Sequence, residues 1–169
     1  MKKTVLIISI IVLSLLIIPA AGCEEKVVEA GDYIKVHYTG TLDDGSVFDS
    51  SEGRDPLEFT AGAGQMIKGF DAAVIGMKIG EVKTVTIPAE DAYGPYDEAM
   101  LLVFDKDELP EDMDPQIGDQ LSLSGTDGRT MTVPVVDVSE TTITVDANHR
   151  LAGKDLTFEI ELVELTKGK

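Results

Sequence analysis

Ile34, Val36 and Tyr38 alternate with Lys35, His37 and Thr39, the period-two pattern of a strand with one buried face. Asp44-Gly45 then supplies the positive φ that a tight hairpin turn needs, so the chain should return as a second strand. Just past that turn Phe48-Asp49 breaks the alternation, with a carboxylate directly after a large aromatic. Arg54-Asp55-Pro56 marks a loop and Leu57-Glu58-Phe59 a short strand. From Gln65 the period changes. Ile67, Phe70, Val74 and Met77 recur at three- and four-residue spacing, which predicts a helix of about three turns, stopped by Gly76. Val82 to Pro88, rich in Val and Thr, predicts a strand, and Ala92-Tyr93-Gly94-Pro95-Tyr96 a rigid loop. Leu156, Phe158, Ile160 and Leu162 share one face of a final segment, which predicts a central strand of the first sheet.

Between Pro95 and Gly153 the chain follows a strand-and-turn logic of its own. Leu121 and Leu123 alternate with polar residues, Asp127-Gly128 predicts a second hairpin, and Met131 to Val138 and Thr142 to Val145 predict further strands. Before them lies an acidic stretch, Asp105 to Pro115, whose Glu108, Glu111, Asp112 and Asp114 fit the spacing of no calcium loop, and Pro110 and Pro115 interrupt it.

Charge and the N-terminus add compartment. The 169 residues hold 31 acidic and 14 basic side chains, a formal charge of −17, which argues against nucleic acid or an anionic lipid surface as partner. Residues 1–22 stand apart: Lys2 and Lys3 precede an apolar run from Val5 to Ile18, and Pro19-Ala20-Ala21-Gly22 leads to Cys23. That is the layout of a signal peptide or an N-terminal membrane anchor, and the basic residues keep their end in the cytoplasm. Cys23 is the only cysteine, so no internal disulfide is open to it, and Ala20-Ala21-Gly22-Cys23 resembles a lipoprotein cleavage box with Cys23 as the lipidated residue. The rival is an uncleaved span, since Thr4 to Gly22 is just long enough to cross a bilayer. Both place the rest of the chain on the outer face of the cytoplasmic membrane, behind a polar linker over residues 24–30.

Taken in order, Val36-His37-Tyr38-Thr39-Gly40, Asp44-Gly45, Phe48-Asp49-Ser50-Ser51, Gly69-Phe70, Gly76-Met77, Ala92-Tyr93-Gly94 and Leu156-Thr157-Phe158 resemble the motifs of the FKBP-type peptidyl-prolyl cis-trans isomerases. Tyr96-Asp97-Glu98 and Asn148-His149-Arg150-Leu151-Ala152-Gly153 resemble the two ends of the insert-in-flap domain of the SlyD-like branch. The resemblance implies an α+β fold, mostly β. An antiparallel sheet wraps one short helix, formed from residues 31–95 and 152–169, and a small β-rich domain of residues 96–151 is inserted in the flap. It also implies Tyr38, Asp49 and Tyr93 as catalytic residues. Phe48, Met66, Ile67, Phe70 and Phe158 would bind substrate, with Arg54 beside Asp49 and macrolide inhibitors as further ligands of the pocket. Phe70 stands where many members carry Trp, which implies a shallower floor, and the insert in place of the flap implies a more open mouth.

Rotation about an X-Pro bond faces a barrier of about 20 kcal/mol because the twisted amide loses its resonance. Since no bond to a heavy atom breaks, the site needs only to bind the twisted amide better than either planar isomer. Neither metal nor cofactor is called for, and His37, His149 and Cys23 offer no cluster with metal-ligand spacing. Phe48, Phe70, Ile67 and Phe158 suit a proline ring, and Tyr93 a substrate carbonyl. Asp49 either orients Tyr38 or Arg54, or acts electrostatically on the amide. In the insert, Met100, Leu101, Leu102, Val103 and Phe104 form either a patch that captures unfolded segments or the insert's own core. The expected protein is an exported, tethered, monomeric isomerase acting on unfolded or proline-containing polypeptides. The alternative is a non-catalytic chaperone or proline-peptide-binding module.

Overall fold

The computed structural model describes residues 26–110, 113–124, 128 and 130–168. The signal-peptide or anchor segment, Cys23, Glu111, Asp112 and Asp127 lie outside the described residues. Among the described residues nine strands and one α-helix follow in chain order: β1 (Tyr33–Thr41), β2 (Val47–Ser50), β3 (Leu57–Thr60), α1 (Lys68–Val74), β4 (Val82–Ile87), β5 (Leu101–Asp105), β6 (Gln120–Ser124), β7 (Thr130–Val138), β8 (Thr142–Asp146) and β9 (Leu156–Thr166). Among the described residues no helix is long and apolar enough to cross a membrane.

The first sheet is antiparallel, in the order β2-β1-β9-β4, with β3 also paired to β1. β3 takes Tyr33 to Val36 and β2 takes Thr39 to Thr41, so the two short strands lie end to end along one edge of β1. As expected, β9 is central, pairing with β1 on one side and β4 on the other. Its even-numbered residues Leu156, Phe158, Ile160 and Leu162 are all buried. The register then slips between Lys35 and Val36, where Val36 faces Leu162 and Lys35 faces Glu164. That bulge resets the strand's parity, so Leu165 packs on the core beside Ile34 while Val163 is exposed. The sheet curls over α1, whose Phe70, Ala73 and Val74 complete the core. Close approach is possible because residue 69 is glycine: a Cβ there would sit 2.2 Å from the Ile87 Cγ2.

Two expectations need correction here. The helix spans seven residues, not three turns, because the backbone on both sides is extended at Ile67 and Ile75. Beyond it, the Gly76 amide donates to the Val28 carbonyl and the Val28 amide to the Met77 carbonyl, both at 2.9 Å. Met77 is therefore buried by pairing with an upstream segment, and its helical spacing from Val74 is incidental. The same contacts overturn the linker over its described part, residues 26–30. Val28 is 1% exposed and belongs to the main core, so the fold begins before Tyr33.

A second antiparallel sheet, β5-β8-β7-β6, comes wholly from the chain between β4 and β9. It has its own buried cluster of Val133, Val135, Ile143, Val145 and Ala147, flanked by Phe104, Leu109, Leu121 and Leu123. β7 spans both neighbours: residues 130–134 pair with β6, and Val135 onward pairs with β8. Pro134, which has no amide hydrogen to give a ladder, sits at that changeover. The two segments that join this sheet to the first are laced together. The Asp97 amide donates to the Asn148 Oδ1 at 3.0 Å, the Asn148 Nδ2 to the Asp97 carbonyl at 2.9 Å, and the Gly153 amide to the Gly94 carbonyl at 2.8 Å.

Candidate active site

Strand pairing brings Tyr38, Phe48 and Phe158 to one end of the first sheet. Gly40 pairs with Phe158 across β9 and with Asp49 across β2. A Cβ at residue 40 would lie 2.5 Å from the Phe48 ring and 3.0 Å from that of Phe158, so its absence lets the two rings meet. They do so edge to face at 5.5 Å and 89°. Phe70, carried in by α1, meets Phe158 at 5.1 Å and 79° and Tyr38 at 5.9 Å and 83°. Edge-to-face pairs of this kind are favoured by the ring quadrupoles, and the cage they form floors a cavity of about 210 Å³.

That cavity is lined by Tyr38, Phe48, Asp49, Leu57, Met66, Ile67, Phe70, Tyr93 and Phe158. Eight of the nine are residues singled out from the sequence. Leu57 was not, although it precedes buried Phe59 by two residues on β3 and so shares its face. Arg54 lies outside the lining, and its guanidinium reaches Asp49 from the solvent side. A larger recess, of about 420 Å³, is lined by His37, Thr39, Glu52, Glu159 and Glu161 among others. Its wall is charged and hydroxylic, so the ring cage is the better fit for an apolar substrate group.

The carboxylate of Asp49 is fully engaged. Its Oδ2 accepts from the Tyr38 hydroxyl at 2.6 Å, and its Oδ1 accepts from the Arg54 Nη2 at 2.8 Å and from the Ser50 amide at 2.9 Å. The Tyr38 bond, foremost, and Arg54 hold the Asp49 carboxyl below the ordinary aspartate range, against the opposing effect of burial. Burial and the same bond push the Tyr38 phenol up, so it stays protonated and donating. Arg54 also donates to the Ser50 carbonyl. Ser51, buried one residue on, accepts from the Tyr38 amide at 2.9 Å and lies 3.0 Å from the His37 Nδ1. This bonding explains why Phe48-Asp49 departs from alternation: the strand end is tied to β1 through side chains as well as backbone.

Tyr93 differs from Tyr38. It follows the 3-10 turn at Ala89–Asp91, is 41% exposed, and its hydroxyl has no partner among the described residues. It is the phenol with a donor to spare at the cavity. Its ring stacks on that of His149, centroids 4.0 Å apart and planes 8° from parallel, a contact the sequence did not disclose. Of the five candidate residues on β5 or just before it, Met100, Leu102 and Val103 are exposed, with Val103 at 64%, while Leu101 and Phe104 are half-buried and Phe104 packs on the second sheet's core. Among the described residues no three His, Cys, Asp or Glu side chains gather as around a metal ion.

The sequence is similar to those of known proteins. The profile of the family described as "FKBP-type peptidyl-prolyl cis-trans isomerase" matches residues 24–163. The chain is similar to a short-type peptidyl-prolyl cis-trans isomerase of Methanocaldococcus jannaschii, 38% identical over 81% of this chain and 93% of the relative. It is also similar to the FKBP-type isomerase SlyD of Treponema pallidum, 37% identical over 75% of this chain and 72% of that protein. An FKBP-type 16 kDa isomerase of Escherichia coli is 29% identical over 82% and 93% respectively.

The Asp49 bonding carries a sign that can be measured. A carboxyl whose value is lowered by folding adds stability above its unfolded value, and loses it as the pH falls through the folded value. Replacing Tyr38 by Phe removes the chief cause, so the Asp49 midpoint should rise, as followed by carbon-13 NMR of the side-chain carboxyl. Arg54→Ala should raise it less, because that pair is solvent-exposed. An unmoved midpoint in Tyr38→Phe would show that the phenol is not what stabilises the carboxylate.

Proposed function

The chain belongs to the family of FKBP-type peptidyl-prolyl cis-trans isomerases, and from that membership we propose that it turns X-Pro bonds in unfolded or folding polypeptides outside the cytoplasm, its second sheet holding client segments near the pocket. The ring cage of Phe48, Phe70 and Phe158 is the observation that carries the chemical part. A proline ring seated on it leaves water behind together with the preceding carbonyl. As the amide twists it loses its resonance and much of its dipole, so the twisted form loses less than the planar one by leaving water. Preferring that form is all the reaction requires.

The polar groups divide the remaining work. Tyr93, which lines the cavity and whose hydroxyl has no partner among the described residues, donates to a substrate carbonyl and fixes the chain against the rotating bond. Tyr38 offers its ring to the cage, and its hydroxyl is spent on Asp49. Asp49, held ionised, orients Tyr38 and Arg54 and sets a negative field at the edge of the cavity. No proton moves in this scheme. Macrolide inhibitors would enter the same cavity, on a floor that is Phe70 in this chain.

Client holding draws on the second sheet. Met100, Leu102 and Val103 on or beside edge strand β5, with Met113, Ile117, Met131 and Val136 in the same segment, expose apolar surface to solvent. A segment held there raises the effective concentration of its prolines at the pocket. Export and tethering rest on Lys2, Lys3, the apolar run and Cys23, with the lipid on Cys23 as anchor.

The client role predicts a split between substrates. Leu102→Ser with Val103→Asp should slow catalysed refolding of a proline-limited protein by roughly ten-fold or more, while turnover of a short proline peptide changes little. Catalysed refolding as fast as with the wild type would refute client holding and leave the isomerase intact. Mass spectrometry of the protein from membranes should find a chain beginning at a diacylated Cys23. An unmodified Met1 would rule out lipidation and favour the uncleaved span.

A further inference from the structure

His149 belongs to the segment that returns from the second sheet to the first, yet its ring lies flat on that of Tyr93. An exposed tyrosine whose hydroxyl has no protein partner is free to sample several rotamers. Stacked at 4.0 Å, the Tyr93 ring is restricted to the one compatible with its neighbour. The neighbour is itself well held. Asn148, directly before it, donates from Nδ2 to the Asp97 carbonyl at 2.9 Å and to the Asp146 Oδ1 at 2.8 Å, and accepts from the Asp97 amide at 3.0 Å. On its other side, the Leu151 amide donates to the His149 Nδ1 at 3.2 Å, and Leu151 is buried in the main core. With Nδ1 accepting, the neutral imidazole carries its proton on Nε2.

We propose that His149 is a positioning residue for Tyr93, fixing the phenol so that its hydroxyl is aimed at the substrate carbonyl in the prolyl cavity. The exit segment of the second sheet is then part of the isomerase site as well as a connection. This rests on Tyr93 as the donor, and the test separates the two ideas. The imidazole contributes a flat face, and the anchored residues on either side, Asn148 and Leu151, set where that face lies. Losing the stack leaves the substrate's apolar contacts in place and costs the aim of one donor. The loss therefore falls on kcat, with KM little changed.

Five variants read this out in the full chain, by protease-coupled turnover of a short proline peptide. His149→Ala and His149→Gln should each lower kcat by about three- to ten-fold, the size of an aromatic stacking contribution. His149→Phe, which keeps a flat ring and gives up the Leu151 bond, should recover the rate to within about two-fold. In a Tyr93→Phe background His149→Ala should have little further effect, since the hydroxyl it aims is gone. The proposal is overturned if His149→Gln turns over like wild type, if His149→Phe is as slow as His149→Ala, or if the His149→Ala loss persists in full beside Tyr93→Phe. Should Tyr93→Phe alone match wild type, Tyr93 is not the donor, and it is that premise which fails.

Discussion

The contact between Phe70 and Phe158 is the point on which the molecule turns. One ring rides on a seven-residue helix and the other on the central strand, and their edge-to-face meeting at 5.1 Å joins the two layers at the place where the cavity opens. Gly69 lets the helix close on Ile87, and Gly40 leaves space for the Phe48 ring. A side chain at either glycine would push the layers or the rings apart. Core and pocket are thus one object, with Phe70 and Phe158 at most 5% exposed while still lining the cavity.

Around that floor the two phenols are put to different uses. Tyr38 is fixed by Asp49, itself fixed by Arg54 and the Ser50 amide. Asp49 is thereby committed to holding the cage wall and is a poor candidate for a base, since its carboxyl is stabilised in the charged form. Tyr93 is held by packing alone, against a ring from the other connecting segment. A donor set by ring packing, with its hydroxyl left open for substrate, suits a site that must accept varied chains around a common proline.

Much of this was legible in the chain, for physical reasons. Alternation marks β1 and β9 because each buries one face; the ordered motifs themselves hold six of the nine cavity residues, and the family resemblance they carry adds Met66 and Ile67. What escaped depends on contacts across long sequence separations. Val28 reads as linker because a lone Val27-Val28 pair among charged residues shows no period; only its pairing with Met77 reveals it as core. Met77 in turn lent a false turn to the helix. Leu57 needed the knowledge that β3 follows β2 along the same edge. The His149 stack could not be inferred from its neighbours, since it depends on where a chain excursion of more than fifty residues comes back.

The central claim is that the cage lowers the barrier by favouring a twisted amide, with no proton in flight. It is tested most directly by the solvent isotope effect on kcat/KM for a short proline peptide. A ratio of rates in light and heavy water close to one is the result the account predicts. A ratio clearly above one, with a pH profile that follows a single carboxyl or phenol, would place a proton transfer in the barrier and contradict it.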